Sequence, residues 1–257
     1  FTPGEIEMTV KKGALLGLIA IAVLLVGYAP RRAFGQKNSS PPLSLTEKLP
    51  ADIRPDTFSR MPRVNRDDLA TEAEKQAFDR TYGLSPKQTV SKWLGPTGTR
   101  LHIPELAETY NTQLKLFHEK GGLELKYYEL VVSVALRETD NKEEWLNHEP
   151  DRMKLLGPKI EEILKKDLPT TGLEEKEAAI IQFGRELFRE PKVSSKTFAN
   201  MERIFGRKDT LVATLINCYY AANGLLMRAY DQHMDTRLEC SGYHIGCLSE
   251  KNVHNAW

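Results

Sequence analysis

The sequence predicts an all-α protein, on three observations. Apolar residues recur at spacings of three and four through most of the chain, the period of a helix with one buried face. Strand-type alternation is scarce. Capping boxes and prolines stand where helices should begin.

Taken in order, Leu69 to Tyr82 is the first predicted helix, with Thr71 and Glu74 as its capping box. Gly95-Pro96-Thr97-Gly98 reads as a turn. Pro104 occupies a first helical position, where a missing N–H is harmless, and Leu106, Tyr110, Leu114 and Phe117 follow at helical spacing. Glu124 to Glu138 carries a dense apolar run of Tyr127, Leu130, Val131, Val134, Ala135 and Leu136. Asp140 is placed to cap a helix from Asn141 to Asn147, with Pro150 as a breaker or a restart. Lys159 to Lys166 is another helix, and Thr171 with Glu174 forms a second capping box before Ala178 to Phe188. Ser194 or Ser195 caps Phe198 to Phe205. Lys208 to Asp231 is the longest apolar segment and is predicted to be the central buried helix. Its Thr214, Asn217 and Asn223 argue against a membrane span. Cys218 within it reads as a small core residue.

Four segments follow from this pattern: 1–35, 36–55, 56–235 and 236–257. In the first, Lys11 and Lys12 precede the apolar run from Ala14 to Tyr28. A basic head and an apolar run too short to cross a bilayer is the pattern of an export signal. Ala33 and Gly35 are suitably small for cleavage before Gln36, and Phe1 to Glu7 reads as an extension upstream of a start at Met8. Arg31 and Arg32 support the alternative of an uncleaved anchor. Both readings place the folded part outside the cytoplasm, periplasmic or secreted, with membrane contact only through that segment. Segment 36–55 is a polar linker containing Pro41 and Pro42, 56–235 is one helical domain, and 236–257 is a flexible tail whose Cys240 and Cys247 either pair or stay free.

Lys and Arg number 36 against 35 Asp and Glu, a formal net charge of +1. That balance argues against a nucleic-acid partner. Three cysteines without C-x-x-C spacing argue against a disulfide scaffold or a zinc ribbon. The histidines show no metal-ligand spacing, so no metal is expected.

The segment Glu129 to Pro150 carries the candidate chemistry. At 3.6 residues per turn, Asn141, Glu144 and His148 fall within roughly 60° of one helix face. A carboxylate and an imidazole so placed exchange a proton if that face lines a cavity, and Glu129 is positioned to converge from the preceding helix. The bland alternative is a solvated i,i+4 pair. Trp145, His102, Tyr219 and Tyr220 are candidates to touch a substrate; each also reads as a packing residue, with His102 at a loop-to-helix junction.

The run from Arg137 to Pro150, RETDNKEEWLNHEP, resembles the motif of the carboxymuconolactone decarboxylase-like family. This all-helical superfamily includes the alkylhydroperoxidase D-type enzymes. Ser59-Arg60-Met61-Pro62, GPTGTRLHIPELAE at 95–108, GLEEKEAAIIQFGRELF at 172–188 and NCYYAANGLLMRAYD at 217–231 are similar to the corresponding family segments. The resemblance spans about residues 56 to 235 and implies a single alkylhydroperoxidase D-like domain. In the peroxidase branch a Glu, a C-x-x-C pair and a His act together. Glu129 and His148 match the Glu and the His, whereas Asn141 and Glu144 stand at the two thiol positions.

The Glu, Trp and later His are similar to the decarboxylase-type branch, whose chemistry is cofactor-free acid–base work on a lactone acid. The resemblance thus implies a lyase without a cofactor, acting on a small carboxylated lactone-type substrate. Glu144 would handle the proton, His148 would orient or relay it, and Glu129 would tune His148. It also implies a symmetric homo-oligomer. The alternatives are a non-catalytic small-molecule-binding member of the fold and, lacking the thiol pair, a hydroperoxide reductase.

Overall fold

A computed structural model describes residues 50–82 and 95–233. The predicted export segment, most of the linker and the tail with Cys240 and Cys247 lie outside the described residues. Among the described residues there are nine α-helices and no strand: α1 Glu72–Tyr82, α2 Gly95–Arg100, α3 Pro104–Lys120, α4 Leu125–Glu138, α5 Lys142–Asn147, α6 Glu149–Leu155, α7 Gly157–Lys165, α8 Glu175–Arg189 and α9 Ser195–Ala229. The all-α expectation holds.

The centre of the fold is α4. From Tyr127 to Leu136 every residue is buried, so the helix is enclosed on all sides. Val131, Val132 and Val134 are mediocre helix formers, and tertiary burial overrides that preference. Helices α5 to α9 surround it, with α8 and α9 also packed on each other. Gly184 of α8 permits the closest approach: a Cβ there would stand 2.4 Å from Val134 Cγ1. A second, smaller core of Val64, Phe78, Leu101 and Ala107 joins α1 to α3.

Several boundaries differ from the sequence reading, each for a local reason. Gly95 to Gly98 opens α2 instead of forming a free turn. Glycine and proline punctuate helix starts as well as turns, and the buried Leu101 behind them anchors the short helix. Asp140 does not cap α5; it takes a positive φ of 54°, and Asn141 caps by accepting the Glu144 N–H at 3.1 Å. Pro150 restarts the chain as α6. The box ahead of α8 is Glu174 with Glu177, one turn later than Thr171 with Glu174. The Thr71–Glu74 box of α1 forms in both directions, at 3.2 and 2.7 Å. Ser194 caps α9. The two predicted segments of α9 are continuous except at Gly206, whose φ of 74° and ψ of 168° kink the helix, a conformation that only glycine adopts cheaply.

Helix α9 is long and apolar enough to cross a membrane, yet half of that window is buried among the other helices. One expectation within it is overturned. Cys218 is exposed, not in the core. It lies on the same open face as Leu211, Leu215 and Leu225, at spacings that place all four on one helix stripe.

The sequence reading also passed over Arg152. This side chain is fully buried, forms an ion pair with Glu161, donates to the Trp145 carbonyl at 2.8 Å and stacks 3.6 Å over the Trp145 ring. Residues nine apart on two helices form no local pattern, so the pairing was not legible. Removing the carboxylate strands a buried cation. Glu161→Ala should therefore lower unfolding free energy by about 3–5 kcal/mol, measured by urea denaturation. A loss below about 1 kcal/mol, the worth of a surface pair, would contradict the burial.

Candidate functional site

The site begins with a carboxylate that has nowhere to go. Glu129 sits in the first turns of α4 with its side chain 5% exposed. One oxygen, Oε2, meets His148 Nδ1 at 3.1 Å. The other, Oε1, is buried without a hydrogen-bond partner among the described residues, as is Ser133 Oγ one turn along. With Glu129 ionised, the Nδ1 nitrogen carries the proton and donates it. The outer nitrogen, Nε2, is then the one available for acid–base work.

His148 occupies the junction between α5 and α6, serving as C-cap of one and N-cap of the other. Its Nε2 lies 3.8 Å from Glu144 Oε2. That gap is too long for a direct hydrogen bond, so one ligand atom can meet both groups. Exposure separates the roles: Glu129 is closed off, whereas His148 is 18% and Glu144 14% exposed. Burial is the largest influence on the imidazole and pushes its pKa down. The Glu129 hydrogen bond, with the charges of Glu129 and Glu144, outweighs it and leaves the value raised.

Tyr220 of α9 meets the imidazole edge-on at 5.5 Å, and its hydroxyl lies 3.4 Å from that of Tyr128. Burial raises the Tyr128 hydroxyl to about 12 and Tyr220 well above its usual value, so both remain neutral donors. Tyr219 packs against Tyr110, Phe117 and Tyr220. His118, 4.3 Å from the Tyr128 ring, is pushed down by burial.

Of the residues singled out from sequence, Glu129, Glu144, His148, Tyr219 and Tyr220 converge here. Asn141 is buried; it uses its oxygen to cap α5, and its Nδ2 lies 3.6 Å from Met227 Sδ. Trp145 is fully buried beneath Arg152 in the main core. His102 donates from Nε2 to the Pro62 carbonyl at 2.9 Å, apart from the carboxylates. Sequence reasoning missed Arg100, Tyr128, His118 and Ser133. Ser133 lies one turn from Glu129 along α4, at i+4, a spacing legible in the sequence; Tyr128, the immediate neighbour of Glu129, carries no such signal. A surface depression lined by Gln182, Lys196, Asn200 and Arg203 lies elsewhere and contains none of these groups. Among the described residues no cluster has the donors of a metal site.

No family model, curated protein or solved structure matches this chain.

The raised His148 value carries a sign. Its contribution to stability is complete below the unfolded value near 6.5 and is lost as pH rises through the higher folded value. The stability difference between the native chain and His148→Gln should therefore shrink from pH 6 to pH 9. Urea midpoints at stepped pH measure this; a difference growing with pH would mean that the imidazole is held neutral.

Proposed function

We propose that this protein is a cofactor-independent acid–base lyase acting on a small carboxylated lactone-type substrate. The observation that carries the reading is the Glu129–His148–Glu144 arrangement: one buried carboxylate fixes the imidazole, and a second, reachable one faces its free nitrogen. The resemblance to the decarboxylase-type branch supplies the substrate class.

The reaction this geometry suits is loss of carbon dioxide from a carbon beside a carbonyl. The C–C bond breaks, its electron pair stays on the ring as an enolate, and a proton must reach that carbon. Glu144 delivers it, His148 passes a proton from Nε2 to Glu144, and the partly exposed imidazole regains one from water. Glu129 keeps Nδ1 protonated, so that Nε2 faces the reaction. Tyr220 packs edge-on against the imidazole and adds no charge.

Glu144→Gln keeps the shape and removes the exchangeable proton. On small lactone acids in deuterated water, release of carbon dioxide and deuterium uptake at the ring carbon should fall by roughly 10²–10⁴-fold. His148→Gln should fall similarly, and the double variant by less than the product of the two, because the groups act as a unit. Wild-type turnover in Glu144→Gln, or no turnover of any lactone acid by the native chain, would sink the reading.

A second copy of the chain is the proposed cover for the open face of α9. Leu211, Leu215, Cys218 and Leu225 are exposed there, and the helix carries no charge from Thr210 to Met227. Helix stripes of this kind pair with one another. Sedimentation at micromolar concentration should show an oligomer that Leu215→Glu dissociates. A monomeric native chain would refute this.

A further inference from the structure

Beside the acid–base groups stands a cation that the proposed chemistry leaves unused. Arg100 ends α2, and its guanidinium lies 3.8 Å over the Tyr110 ring. One N–H donates to Asn223 Oδ1 of α9. Among the described residues, its hydrogen-bond partners are this amide and the Tyr110 side chain, both neutral. No carboxylate among them lies within ion-pair distance of it. Burial pushes the guanidinium below its usual value, yet an arginine stays charged in a protein. A half-buried cation with only neutral partners and unused N–H donors is an unbalanced group.

Arg100 and Glu144 are near neighbours: the carboxylate's charge acts on the guanidinium. At the other end of α2, a Cβ on Gly95 would lie 3.9 Å from Glu144 Oε1. Tyr219 lies near enough to both Arg100 and Glu144 to respond to each charge. A cation, two carboxylates and the Tyr219 ring are therefore gathered in one region. Among the described residues, Glu129 Oε1 and Ser133 Oγ have no hydrogen-bond partner.

We propose that Arg100 binds a substrate carboxylate, one distinct from the group that reacts at Glu144 and His148. This rests on the acid–base reading for the identity of the reacting end. The guanidinium fork matches the two oxygens of a planar carboxylate. A phosphate dianion fits worse, since one guanidinium matches only one of its two charges. The bound carboxylate is not the one lost: an ion pair with a departing carboxylate disappears as neutral carbon dioxide forms, so it would stabilise the ground state and slow the reaction. Arg100 thus selects and orients, presenting the far end of a ring acid to the two proton carriers.

The test uses the full chain and isothermal titration with 5-oxotetrahydrofuran-2-carboxylate, 2-furoate and cyclopentanecarboxylate, each beside its methyl ester. The native chain should bind at least one acid more tightly than its ester. Arg100→Gln should weaken that acid by about ten- to a hundredfold, the worth of a charged hydrogen bond, and leave the ester unchanged. Arg100→Lys should recover part of the loss, and circular dichroism should show both variants folded. Glu144→Gln should still bind the acid, because the anchoring carboxylate meets Arg100. Equal binding of acid and ester, no binding of any acid by the native chain, or Arg100→Gln binding as the native chain does would overturn the proposal. The two proposals fail separately: the acid–ester contrast at Arg100 does not depend on turnover, and loss of turnover in Glu144→Gln does not depend on Arg100.

Discussion

A carboxylate inside the most enclosed helix of the protein is the constraint on which the site depends. Ionised Glu129 in α4 is costly unless another group answers it, and the answer is His148. His148 stands at a bend between α5 and α6, where its ring meets Glu129 while Glu144 lies one turn before it. The bend is built from ordinary parts. Asn141 caps α5, the His148 N–H closes that helix on the Glu144 carbonyl at 3.0 Å, and Pro150 opens α6. One turn on, the Arg152 N–H returns to the His148 carbonyl at 2.9 Å, and its side chain stacks over the Trp145 ring. The core arginine and the catalytic candidate therefore belong to one short segment: packing of the first fixes the backbone that aims the second.

The electrostatics of the site follow from unequal enclosure. Two carboxylates flank one imidazole, at 3.1 and 3.8 Å. Glu129 is shut in and serves a fixed partner; Glu144 faces the opening and is free to exchange. The tyrosines around them are held neutral by burial, so they add donors and apolar area without adding charge. Arg100, whose hydrogen-bond partners among the described residues are neutral, lies close enough to Glu144 to respond to its charge.

Much of this was legible in the sequence, and the misses have physical causes. The apolar run of α4 and the spacing of Glu144 and His148 were plain, because helical period is local information. The convergence of Glu129 was read correctly as well, although the packing that enforces it is not local. Helix α2 was missed because glycine and proline signal a turn and a helix start alike. Cys218 was misplaced because α9 is apolar on nearly every face, so periodicity could not say which side meets the core. Arg100 and Arg152 were passed over because their partners, Asn223 and Glu161, lie on other helices; no spacing announces a partner that only folding brings near.

The place of Asn141 bears on which chemistry the scaffold can run. A thiol there would sit at a helix N-terminus, where the thiolate is favoured. Asn141 caps this helix with a neutral amide instead, so its start carries no nucleophile. Cys218 cannot serve as one beside His148. Tyr219 and Tyr220 follow it on α9, roughly 100° and 200° round the helix, and both rings are packed inward. Turning the thiol toward His148 would turn those rings out and dismantle the wall that shelters the imidazole.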